Sequence, residues 1–111
     1  MAVATEDMIA EMVKAIVDEV DPVQIILFGS QARGEGHEDS DLDFLLVQDP
    51  PFTGENARRK QMARLLIRFA HTPISQDFLI YAPDEVERLG KLSGHVIAHA
   101  LKEGIVLYER G

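Results

Sequence analysis

The chain has 111 residues, no cysteine and a formal charge of −8, with 46% hydrophobic and 27% charged residues. That length suits one compact domain, residues 1–111, and the lack of cysteine excludes disulfides, thiolate catalysis and cysteine zinc sites. The net acidity argues against direct nucleic-acid binding, and no run approaches the roughly 18–20 apolar residues that cross a bilayer.

The opening "MAVATEDMIA" lacks the basic-then-apolar pattern of a secretory signal, so a cytoplasmic location without membrane contact is expected. Charge is unevenly spread. Residues 1–56 hold 13 acids against Lys14 and Arg33, a balance of −11, whereas residues 57–111 hold nine Lys or Arg against six acids, a balance of +3. Such an acidic half can still meet a nucleotide through metal ions, because a bound cation reverses the field around clustered carboxylates.

In chain order, Ile9, Met12, Val13, Ile16 and Val20 recur at helical spacing, which predicts a helix over 6–20. Thr5 is placed to cap its start, Glu6 and Asp7 suit its first turn, and Asp21-Pro22 ends it. "VQIILF" (23–28) reads as a largely buried strand ending at Gly29, followed by a polar loop with room for one helical turn. "LDFLLV" (42–47) reads as a second strand, closed by Gln48, Asp49, Pro50 and Pro51. A helix is predicted over 55–70, with Met62, Leu65, Leu66 and Phe69 as its apolar stripe. Lys60, Arg64 and Arg68 repeat on another face, either as a solvated surface or as a patch for an acidic partner or phosphate. A third strand over 74–82, a helix from Pro83 to a stop at Gly90, a helix over 94–103 and a last strand over 105–108 complete the order. The pattern is α+β: a small mixed β-sheet with helices mainly on one face.

The chemistry concentrates in "GSQARGEGHEDSDLDFLLV", Gly29 to Val47. Residues two apart on a strand share a face, so Asp41 and Asp43 direct two carboxylates into one opening while Leu42 and Phe44 face the packed side. The opposite arrangement would bury both acids without partners. Two like charges held together favour a divalent cation between them, and an all-oxygen ligand set favours magnesium or manganese. Asp77, in a separate predicted strand, is the best third ligand. Upstream, Gly29 allows close backbone approach, Ser30 offers a hydroxyl and Arg33 a forked set of donors, together suited to a triphosphate.

Gly29-Ser30, ten residues, then Asp41-Leu42-Asp43 resembles the signature of the DNA polymerase beta-like nucleotidyltransferase superfamily, and "ARG" at 32–34 with "SD" at 40–41 resembles its minimal nucleotidyltransferase (MNT) branch. The resemblance covers the order of elements along most of the chain, although its diagnostic residues lie in 29–47 and at Asp77, where the family's third carboxylate falls. It implies the nucleotidyltransferase fold and Asp41, Asp43 and Asp77 as catalytic and metal-binding residues. Gly29, Ser30 and Arg33 would bind the nucleotide, with ATP as substrate and two Mg²⁺ ions. It further implies an antitoxin that transfers AMP to a tyrosine of a HEPN-domain ribonuclease toxin in a hetero-oligomer. Transfer to another protein, an RNA end or a small hydroxyl compound, and silencing of a partner by binding alone, are the alternatives.

Other signals are weaker. "HVIAH", His95 to His99, lacks the glutamate of the zinc-protease helix, and a Walker phosphate loop is absent. His37 lies in the polar loop, and Tyr81 and Tyr108 read as core or interface aromatics.

Overall fold

The computed structural model describes residues 5–29, 32 and 41–110. Helix α1 spans Glu6–Val20, strand β1 Gln24–Phe28 and strand β2 Leu42–Val47. A 3₁₀ turn at Gly54–Asn56 leads into α2, Arg58–Arg68, then come β3 at Gln76–Tyr81, α3 at Pro83–Leu89, α4 at Val96–Glu103 and β4 at Ile105–Glu109.

The ends of α1 follow its local chemistry. Thr5 Oγ1 accepts from the Met8 amide at 3.1 Å, and Asp21 turns left-handed at φ 45°, its N–H donating to Val17 O at 3.0 Å. Carboxylates are among the few side chains that tolerate this conformation, and Pro22 then forbids further helix.

The sheet runs β3-β2-β1-β4. β1 pairs antiparallel with β2 and with β4, whereas β2 and β3 run parallel. Alternate side chains divide the core in two. On one face Ile25, Leu27, Leu42, Phe44, Leu46, Phe78 and Ile80 meet Met12 and Ile16 of α1 and Leu65 of α2. On the other, Ile26, Leu45 and Val47 meet Val86 of α3 and Ile97 and Ala100 of α4. The two long helices thus share one face, as expected, but the second face also carries a cover of two short helices. Burying both faces explains why "LDFLLV" shows almost no apolar–polar alternation.

Helix α2 begins three residues later than the periodicity predicts, because the backbone tightens into the 3₁₀ turn first. Its inward stripe also differs from the predicted one. Leu66 is 44% exposed, whereas Gln61 is fully buried. Gln61 is held there by hydrogen bonds: Gln48 Nε2 donates to Gln61 Oε1 at 2.7 Å and to Val20 O at 3.1 Å, and Gln61 Nε2 donates to Asn56 O at 2.6 Å. This closed set ties α1, β2 and α2 together. Replacing Gln61 by Leu keeps the volume but removes its bonds to the Gln48 amide and to Asn56 O, and is expected to lower stability by about 1–3 kcal/mol in urea titration.

The basic stripe of α2 is satisfied within the chain. Lys60 Nζ lies 3.3 Å from Glu55, Arg64 Nε 3.5 Å from Glu19, and Arg68 Nη1 3.1 Å from both Asp18 and Glu19. These cations join α2 to α1 and to the 3₁₀ turn. Arg58 bridges α2 to α3, pairing with Glu85 at 2.8 Å while its guanidinium covers the Phe52 ring at 4.2 Å. Among the described residues, no helix is long and apolar enough to cross a membrane.

Candidate active site

The end of β1 and the starts of β2 and β3 meet at one end of the sheet, and two registers define what stands there. Phe28 lies opposite Asp43 across the antiparallel pair, and Asp43 lies opposite Asp77 across the parallel one. Register partners on adjacent strands share a face, so the two carboxylates project together. The Leu42 amide pins this alignment by donating to Ser75 O at 2.9 Å.

Beneath the acids, on the opposite face, lies an apolar floor. Leu42 and Phe44 are fully buried, Phe44 stacks on Phe78 with ring centroids 5.5 Å apart, and Phe78 stacks on Phe69 at 6.0 Å. A register slip of one residue would bury Asp43 in this layer and expose Phe44. The aromatic floor therefore fixes which way the carboxylates point.

Asp43 is half-buried, while Asp41 and Asp77 are exposed. Burial pushes the Asp43 carboxyl above its ordinary range, and the negative charges of Asp77 and then Asp41 push it further in the same direction. The charges of Asp77 and Asp41 thus both bear on Asp43. Among the described residues, no set of three His, Cys, Asp or Glu side chains closes on a common metal point. The donor chemistry nevertheless suits a hard divalent cation, since oxygen-only ligands with mutual repulsion gain from one between them.

Gly29 completes the arrangement. Its φ is +83°, and a methyl built on its Cα would collide with Oδ2 of Asp43 and come within 3.4 Å of Cγ. Glycine is required here twice, by backbone conformation and by space. The bearing of Gly29 on Asp43 is a matter of the distance between them, which the sequence does not show. Ser30, Arg33 and His37 lie outside the described residues.

The histidines of α4 have other work. His95 Nδ1 accepts from the Ile97 amide at 3.0 Å and caps the helix, and His99 is exposed. Tyr81 and Tyr108 pack at the margins of the two cores.

A nucleotidyltransferase domain model matches residues 9–108, which is most of the chain. The chain belongs to the nucleotidyltransferase domain family. A candidate nucleotidyltransferase from Sulfolobus solfataricus has a similar structure, with a TM-score of 0.57 and 20% identity over 94% of this chain and 79% of that one. A toxin–antitoxin structure with AMP-PNP gives 0.57 and 17% identity, covering 91% of this chain and 73% of that one. A mutant of the toxin–antitoxin MntA–HpeT gives 0.56 and 17%, covering 96% and 75%. At these identities the likeness speaks for the fold. No curated protein matches the chain.

Proposed function

We propose that this domain transfers AMP from ATP to a hydroxyl, specifically a tyrosine of a HEPN-domain toxin, and so acts as that toxin's antitoxin. The observation that carries the reading is the parallel register of Asp43 and Asp77, with Asp41 close enough to raise the Asp43 pKa. Membership in the nucleotidyltransferase domain family supports the reaction class. The likeness to toxin–antitoxin structures, one with AMP-PNP, supports the nucleotide and the kind of partner.

Asp41, Asp43 and Asp77 are the residues that would hold magnesium, which when bound neutralises the triphosphate and lowers the pKa of the attacking hydroxyl. The acceptor oxygen bonds to the α-phosphorus, the bond to the bridging oxygen breaks, and pyrophosphate leaves. Asp77, the more exposed of the facing pair, receives or orients the hydroxyl proton. Gly29 keeps the backbone out of the way of Asp43, and Ser30 and Arg33 are assigned to the phosphates.

The reading is tested by incubating the purified domain with its HEPN partner, ATP and Mg²⁺ and weighing the partner by mass spectrometry. Addition of an AMP group, lost with Asp41→Ala, is expected. Unmodified partner silenced equally well by the variant would overturn it in favour of binding alone, and addition of bare phosphate would overturn the transfer of AMP.

A further inference from the structure

On the face of the sheet away from the carboxylates, α1 and the edge strand β4 enclose an apolar groove of about 630 Å³. Its walls are Ile9, Ala10 and Val13 from α1, Leu27 from β1, and Ile105 and Leu107 from β4. Ile105 is 46% exposed, so the apolar surface of the groove is open at the free edge of β4. The register of β4 against β1 shifts between Ile25 and Ile26, a bulge of the kind that makes an edge poor for adding another strand. The groove is therefore shaped for side chains of a helix.

The charges at its rim say which helix. Glu6 and Lys14 also line the groove. With Ala10 they stand four residues apart on one stripe of α1, so acid and base flank a small central residue by about 6 Å of helix on either side. Two copies of this stripe laid antiparallel about a two-fold axis at Ala10 set each Glu6 against the other copy's Lys14. The small side chain at the axis allows the helices to approach. Among the described residues Lys14 pairs with Glu11, 3.6 Å away and exposed, and such pairs hold weakly enough to be exchanged.

We propose that a second copy of this chain occupies the groove, giving an isologous dimer through α1 and β4. The proposal is independent of the transfer reaction. Because Asp43 and Asp77 project from the opposite face of the sheet, both sites in the dimer remain open to acceptors.

Sedimentation over a range of micromolar concentrations tests this, with circular dichroism to confirm that each variant is folded. Wild type is expected to pass from 12.4 kDa to twice that mass as concentration rises. Ala10→Arg, which places two cations at the axis, is expected to abolish the dimer. Glu6→Lys and Lys14→Glu are each expected to weaken it roughly tenfold, since each change converts two attractions into two repulsions. The double variant E6K/K14E exchanges the charges and is expected to restore it. A wild type that stays monomeric throughout would overturn the proposal, as would a dimer indifferent to Ala10→Arg or to both single reversals.

Discussion

Replacing Asp43 by Asn is expected to abolish transfer while raising the melting temperature of the metal-free protein at neutral pH by a few degrees. The two effects have one cause. Burial, Asp77 and Asp41 all raise the Asp43 pKa above its reference of 3.8, so the folded state disfavours the ionised carboxylate more than the unfolded chain does. The sign follows from linkage. Below the ordinary carboxylate range Asp43 is protonated in both states and costs nothing. As the pH rises through the raised folded value the penalty develops, and above that value it is complete. At pH 7 wild type carries it in full and Asp43→Asn does not. The melting-temperature gap between them should be positive at pH 7, shrink toward zero near pH 3, and narrow at neutral pH when Mg²⁺ is added, because the cation stabilises wild type alone. The same change removes a principal electrostatic group of the site, for which a fall of roughly 10³-fold or more in transfer rate is expected. Scanning calorimetry across pH, with and without Mg²⁺, checks the first effect, and label transfer from ATP checks the second.

Gly29→Ala is expected to cost about 2 kcal/mol in stability, from a non-glycine residue at φ +83° and a methyl driven against the Asp43 carboxylate. Because the methyl displaces a reacting group, transfer should fall by roughly 10²-fold beyond what the lost stability explains. Gly54 and Gly94 supply the control. They too have positive φ, at +56° and +84°, but a methyl at either meets nothing within 4 Å. Alanine at Gly94 should show the backbone strain in urea titration yet leave transfer unchanged. If Gly29→Ala and Gly94→Ala affect transfer equally, the contact with Asp43 has no catalytic meaning.

The sequence was most legible where local chemistry governs the outcome. Thr5, Asp21 and Pro22 bound α1 as read, and "LDFLLV" forms β2 with both its limits as predicted. Asp41 lies just before β2, and Asp77 stands opposite Asp43 across the parallel pair, as the order of elements allows. Legibility failed where tertiary contacts decide. Helical periodicity marked Leu66 for the core and could not mark Gln61, because a buried amide is stable only through Gln48, Val20 and Asn56, which come from three other segments. The cationic stripe of α2 looked available to a partner until Asp18 and Glu19 of α1 stood opposite it. The double cover of the sheet did leave a trace, the adjacent apolar residues "IILF" of β1 and "FLLV" of β2, which an amphipathic one-sided strand would not show. The dependence of Asp43 on Gly29 left none, since it is a matter of distance between two strand ends.

The central claim is that Asp41, Asp43 and Asp77 form one site for a metal-bound nucleotide. Calorimetric titration with the manganese complex of a non-hydrolysable ATP analogue tests it most directly, in wild type and in the Asn variant of each acid. The account predicts one class of site, weakened at least tenfold by each of the three substitutions. Binding by Asp77→Asn equal to that of wild type, with Asp41→Asn and Asp43→Asn impaired, would contradict it by removing the third carboxylate from the site.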